Sequence, residues 1–385
     1  MTEIFKNTEV FREDYVPSRI LFREEQFKQI NATLRDVESG GPVCHCLGIG
    51  DMGTGKTLCF KYAYARLPPK YHVYVNCSDA FTQSKILVSI LQNLGSKSKP
   101  GCSTYYYWKE LKALLPQQKF LLVTLDEIDK FVEHPDSGFS DFFYNISRPP
   151  VQNVLVSMLT NSLRFESKFR TALDPRSLDT FPYRRLEFPD YSVQELTAIL
   201  SDRFRDGLQS TAYDEDTVHH IAAIAYKEHL RARGMIKLAF NAAQKGESNH
   251  ETKIQNEHIK TGLEELDVQL SSEIIKRLHL VQIDLLGQIS RCVKIPSKVL
   301  FEKHWPNIAK YRDTGTSFQR YWSFLSPMIV MGLVQEEKNG RGRGKGVQAI
   351  LTIPGDAQEM IAATLQTIEN ERKDRTISSN WEIKT

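Results

Sequence analysis

The chain has 385 residues, 41% hydrophobic and 25% charged, with a formal net charge of +3. That length exceeds one ordinary hydrophobic core, so two or three domains are expected, and the composition excludes a disordered or collagen-like chain. No apolar run approaches the ~18 residues of a membrane span, and the polar start at Met1–Asn7 lacks a signal-peptide core, so the expected location is the cytosol.

From about Cys44 to Leu186 short apolar runs alternate with amphipathic stretches. Val43–Leu47, His72–Val75, Phe120–Leu125 and Val154–Leu159 read as buried strands, and Leu58–Arg66 and Ser84–Leu94 as helices between them. Strands alternating with helices imply an α/β domain with a parallel sheet covered on both faces. Cys44, His45 and Cys46 open the first strand; a reduced, buried strand is expected there, since no second ligand pair accompanies them.

The segment Gly50–Thr57 fits G-x-x-x-x-G-K-[ST] without a mismatch, and it lies between an apolar strand and an amphipathic helix. Gly50, Gly53 and Gly55 let the backbone wrap an anion with its N–H groups pointing inward, Thr54 lies within the loop, and Leu58 opens the helix. Lys56 supplies a point charge for the β- and γ-phosphates of ATP or ADP. Thr57 offers a hydroxyl to Mg²⁺, and the helix that follows directs its positive end to the same place.

Phe120–Asp129 is a strand that delivers Asp126 and Glu127 at its carboxyl end, where open α/β sheets bind ligands. Asp126 suits the water shell of Mg²⁺, and Glu127 suits a base that polarises the attacking water. Val154–Leu159 ends at Asn161, which either meets the γ-phosphate or orients water, or caps a turn.

After Pro189 the strands stop. Ser192–Leu208 carries Leu196, Leu200 and Phe204 on one helical stripe, and Thr217–Ala225 and Gly234–Gln244 also read as helices, giving an all-helical second domain that ends near Glu265. From Ser271 a third pattern begins: an amphipathic stretch to Ile289, then helices over Ser297–Lys310 and Thr316–Met331. On the last, Phe318, Trp322, Leu325 and Ile329 are expected to face the core, leaving Ser317 and Arg320 outside, and Pro327 is expected to kink or end the helix. Two strands follow, joined by Asn339–Gly346, in which Arg341, Arg343 and Lys345 alternate with glycines. Helices followed by a basic two-stranded tip read as a winged helix whose cations approach phosphates or enter a minor groove of double-stranded DNA. A solvated loop or a protein-contacting wing is the alternative.

The ordered motifs resemble the AAA+ ATPases, and more closely the archaeal origin-recognition and cell-division-control type of replication initiator. Tyr15–Gln26 looks like that family's entry segment, Leu173–Ser177 like its Leu-Asp-Pro-Arg box, and Phe188–Tyr191 with Glu195, Leu196 and Arg203 like its lid entry. The resemblance implies that Tyr191 and Arg203 contact nucleotide from the lid, and that Arg176 acts as an arginine finger or a DNA-facing charge. The family's lid has Gly-Asp-Ala-Arg where this chain reads Gly234–Lys237, so the second sensor would be Lys237, which keeps the charge without the planar fork. Ser96–Ser103 matches the position of the family's initiator-specific insertion; a DNA contact and a plain surface loop are equally open.

The expected organisation is an AAA+ core over 1–190, a helical lid over 191–265 and a winged helix over 266–385. The expected function is an ATP-dependent initiator with weak ATPase activity that binds origin DNA and works with the replicative helicase and related initiator subunits, away from any membrane. Alternatives are a DNA-binding regulator that holds nucleotide without turnover, a plasmid or virus paralogue, and a protein-remodelling ATPase.

Overall fold

The computed structural model describes residues 4–370 apart from 135, 150, 152, 293, 341–346, 355–356 and 369. The chain divides into two compact units, 1–259 and 260–385. The division falls inside the helix Asn256–Arg277, so the expected boundary at Glu265 lies within a continuous helix.

The first unit is built on five parallel strands, β1 (His45–Ile49), β2 (His72–Asn76), β3 (Leu121–Asp126), β4 (Val154–Thr160) and β5 (Tyr183–Glu187), in the order β2-β3-β4-β1-β5. Alternate residues of β1, β3 and β4 enter opposite cores, as a pleat with period two requires. Leu47, Val123, Leu125, Val156 and Met158 pack on one face with Phe131, Phe142 and Phe169. Cys46, Leu122, Leu155 and Leu159 pack on the other with Ile30, Phe60 and Phe188. All five strands end on one edge, so the residues just past Ile49, Asp126 and Thr160 converge. His45 is committed to structure: Nδ1 accepts from the Val156 amide at 3.0 Å, its ring stacks on Phe181, and burial lowers its pKa to about 3. Among the described residues no His, Cys, Asp and Glu cluster forms a metal site.

Three lid helices follow, Val193–Gly207, Glu215–Lys227 and Arg231–Ser248. The first opens on a capping box in which the Ser192 hydroxyl accepts from the Glu195 amide and the Glu195 carboxylate accepts from the Ser192 amide. The amino-terminal segment docks on these helices through Phe5 and Phe11, which meet Phe240, and through the Val10 carbonyl, which accepts from Arg203 Nη1 at 2.8 Å.

The second unit continues from Asn256–Arg277 into the helix Leu280–Ser290, strand β6 (Ile295–Pro296), a helical stretch over Ser297–Tyr311, the helix Phe318–Val330, and strands β7 (Gln335–Gly340) and β8 (Val347–Thr352). The sheet order is β6-β8-β7, antiparallel throughout. Four expectations are corrected here. The amphipathic stretch to Ile289 is two helices, because His279 breaks it and caps the second one by accepting from the Val281 amide. Ser297–Lys310 widens into a π turn over Leu300–His304 just before Pro306, whose missing N–H interrupts the helical ladder. The core stripe of Phe318–Val330 is Tyr321, Leu325 and Met328, while Phe318 is 54% exposed and Trp322 and Ile329 are half-buried. The helix also runs through Pro327 to Val330, held by Leu325 and Met328 in the core.

Candidate functional site

The loop from Gly50 to Thr57 leaves β1 and closes under the first turn of the helix Lys56–Tyr64. Two glycines are required by geometry. A Cβ on Gly50 would stand 2.3 Å from the Phe188 carbonyl oxygen, and Gly55 has φ +88° with no room beside the Tyr191 hydroxyl. Thr54 is buried and its hydroxyl donates to the Asp51 carbonyl at 2.8 Å; Gly53 also has positive φ, and Leu58 is half-buried.

Lys56 and Thr57 each reach a different strand end. Lys56 Nζ donates to the carbonyls of Gly50 and Asp51, both at 2.7 Å, and to Asn161 Oδ1 at 2.8 Å just beyond β4. The Thr57 hydroxyl donates to Asp126 Oδ2 at 2.7 Å at the end of β3. Tyr74 on β2 donates to the same oxygen at 2.8 Å, and the Glu127 amide donates to Oδ1 at 3.0 Å. Glu127 has φ 52°, a conformation that costs energy for a residue with a side chain, and Ser78 donates to its carboxylate.

Burial lowers the Lys56 pKa to about 8, against the attraction of Asp126 and Asp51. A bound phosphate favours the charged ammonium, so binding raises this pKa. Affinity is therefore expected to be fully developed below pH of about 8 and to weaken as pH rises through it, with proton uptake on binding appearing only on the alkaline side. Titration calorimetry in buffers of different ionisation enthalpy, at about pH 7 and about pH 9, checks this.

The lid supplies further contacts. Tyr191 is buried, its hydroxyl lies against Gly55, and Arg23 stacks 3.8 Å above its ring. Arg23 Nε donates to the Thr54 carbonyl at 3.0 Å and Nη2 to the Pro189 carbonyl at 2.6 Å, tying the entry segment, the loop and the lid hinge together. Arg231 pairs with Asp51 inside the loop and with Asp190 at 3.0 Å.

Three sequence-predicted residues do not join this cluster. Arg203 is engaged by the entry segment, its guanidinium 4.6 Å from the Tyr15 ring centroid. Lys237 pairs with Glu13 at 2.7 Å. Arg176 turns back on Asp174 at 2.8 Å and is exposed. Arg23, Tyr74 and Arg231 join the site without a signal in the motifs; Arg23 lies in the entry segment, and the other two carry no local motif.

Residues 45–162 match the family model described as an AAA domain, and 197–264 match the Cdc6 AAA+ ATPase-type lid domain. The chain is 30% identical over 292 residues to an ORC1-type DNA replication protein of Thermococcus onnurineus, covering 72% of this chain and 70% of that one. It belongs to the ORC1-type DNA replication protein family.

A Sulfurisphaera tokodaii ORC1-type DNA replication protein 1 is 27% identical over 399 residues, covering 99% of this chain and 96% of the relative. The fold of this ORC1-type chain is like that of the Aeropyrum pernix ORC1 protein solved in complex with DNA, with a TM-score of 0.79, 24% identity, and 95% and 98% of the two chains covered. In the second unit, Ser317 caps the helix Phe318–Val330 by accepting from the Arg320 amide at 3.2 Å. Arg320 is exposed; its Nε donates to the Thr314 hydroxyl at 3.1 Å and its guanidinium lies over Phe324. Arg341, Arg343 and Lys345 lie outside the described residues, in the stretch joining Gly340 to Val347, which pair across β7 and β8. In the first unit, Ser96–Ser103 is fastened to the helix Thr104–Leu114: Ser96 and Ser98 donate to Glu110, and Tyr107 donates to the Lys99 carbonyl at 2.8 Å.

Proposed function

We propose that this ORC1-type chain binds ATP with Mg²⁺, hydrolyses it slowly, and binds origin duplex DNA through a winged helix in its second unit, where it helps recruit the replicative helicase. The observation that carries the nucleotide half is the double link from the phosphate loop to two strand ends, Lys56 to Asn161 and Thr57 to Asp126. The division of the chain into a core over 1–190, a lid over 191–265 and a winged helix over 266–385 belongs to this proposal. It is supported by the helix, strand, helix, helix, strand, strand order that follows the Asn256–Arg277 helix.

Backbone N–H groups of Gly53–Thr57 and the Lys56 ammonium hold the phosphates. The Thr57 hydroxyl and the Asp126 carboxylate fit Mg²⁺, a cation that takes few protein ligands and keeps waters and phosphate oxygens. Thr57 and Asp126 would hold the ion, whose positive charge would offset the charge that develops on the phosphate. Tyr74 and the Glu127 amide hold the Asp126 carboxylate in place. Glu127 accepts the proton of the attacking water and Asn161 orients that water. Tyr191, under Arg23, closes the lid side of the pocket.

Arg320, exposed on the helix that precedes β7 and β8, supports the DNA half, as does the complex with DNA of the Aeropyrum pernix relative. Glu127→Gln is expected to keep ATP binding and to lower turnover by about 100-fold or more, the usual worth of a general base. Steady-state phosphate release measures it. Equal turnover in wild type and variant would remove Glu127 as the base, and wild-type binding without turnover would favour the second reading, a regulator that holds nucleotide without using it, for which the hold of Ser78 on Glu127 speaks.

A further inference from the structure

The second position of the phosphate loop is Asp51, which adds a carboxylate to the loop proposed to hold phosphate. Its carbonyl is used by Lys56 and Thr54, so the residue is fixed within the loop wall while its side chain stays 55% exposed. Two like charges a few ångströms apart repel, so a loop bearing this carboxylate binds phosphate worse than one without it. The carboxylate is cancelled from the lid: Arg231 donates to Asp51 and, through Nε, to Asp190 at 3.0 Å.

Backbone at this corner is strained. His229 has φ 53° and Arg231 has φ 55°, both in the left-handed region that side chains disfavour. Such conformations persist only where surrounding contacts impose them, and the Arg231 side chain is held at this corner by two ion pairs. The consequence is that Arg233 is set against the loop. A Cβ built on Gly53 would stand 3.2 Å from Arg231 Cβ and 3.6 Å from both the Cβ and the backbone nitrogen of Arg233. Arg233 is exposed and forms no ion pair among the described residues. Lys237, one helical turn farther on, is held by Glu13.

We infer that lid closure is an electrostatic condition for nucleotide binding in this chain, with Arg231 cancelling the Asp51 carboxylate and Arg233, not Lys237, presenting the unpaired cation to the terminal phosphate. The inference rests on the nucleotide reading above and assigns two lid residues to it. Arg231 is a positioning residue; Arg233 is the one that meets ligand.

The test uses the full chain with Mg²⁺ and measures affinities for ATP and ADP by calorimetry. Arg233→Ala is expected to lower ATP affinity by about 10- to 100-fold, the loss of one charge-assisted contact, while ADP affinity changes little. Arg231→Ala is expected to weaken both nucleotides, because Asp51 is left uncancelled. Asp51→Asn in the Arg231→Ala background is expected to restore ADP binding toward wild type, which also shows that the variant is folded. Lys237→Ala is expected to keep the wild-type ratio of ATP to ADP affinity. An unchanged ratio in Arg233→Ala, a collapsed ratio in Lys237→Ala, or no rescue by Asp51→Asn would each overturn the inference. Failure of the wild-type chain to bind either nucleotide would instead sink the nucleotide reading itself.

Discussion

Lys56→Ala is expected to weaken ATP binding by about 100-fold or more, since each charge-assisted contact to phosphate is worth ~1.5–3 kcal/mol and this ammonium is placed for two of them. The geometry makes the effect specific. Nζ donates to the Gly50 and Asp51 carbonyls and to Asn161, which uses all three of its N–H groups, so contacts with phosphate replace hydrogen bonds already made within the loop. Thr57→Ala is expected to behave differently, with a loss that appears only when Mg²⁺ is present, because its hydroxyl faces Asp126. Calorimetry with and without the metal separates the two. Unchanged affinity in Lys56→Ala would remove the phosphate loop from the nucleotide account.

The other large effect concerns DNA. Cations that reach phosphates release counterions, so log affinity is expected to fall linearly with log salt, by roughly 0.9 per phosphate contact. Replacing Arg341, Arg343 and Lys345 together by Ala is expected to weaken binding to every duplex and to make that slope shallower by roughly 3 if each neutralises one phosphate. Arg320→Ala has a different expected signature. Thr314 and the Phe324 ring orient its guanidinium, and a base contact made from that position would cost ~1–3 kcal/mol on preferred sequences and far less on random DNA. Fluorescence anisotropy of the full chain across a salt series reads both. Superimposable salt curves for wild type and triple variant would exclude the wing.

The phosphate loop and the β3 carboxylates were legible in the sequence because their chemistry is set locally: glycine spacing fixes the loop, and an apolar run fixes where Asp126 emerges. Strand β5 escaped notice because Tyr183–Glu187 reads as charged, and only Leu186 of the five is fully buried. It is an edge strand, where pairing with β1 decides the conformation and composition does not. The stripe of Phe318, Trp322, Leu325 and Ile329 suggests one core face, whereas the packed face is set by Trp305 and Phe301 meeting Tyr321. Lys237 is suggested by a motif match, whereas the pairing of Arg231 with Asp51 of the loop depends on positive φ at His229 and at Arg231 itself, which no pattern announces. Arg23 sits in a recognised segment, yet its role appears only when Thr54, Pro189 and Tyr191 are brought around it.

An initiator must select particular duplex sequences, and this can be read directly. The full-length chain is incubated with ATP, Mg²⁺ and sheared genomic DNA of its source at about 0.15 M salt, where non-specific phosphate binding is largely screened. Bound fragments are then recovered and sequenced. The expected result is a pile-up of reads at one or a few loci that share a sequence element, diminished by Arg320→Ala. Uniform coverage of the genome, or recovery of no DNA under these conditions, would contradict an origin-binding role.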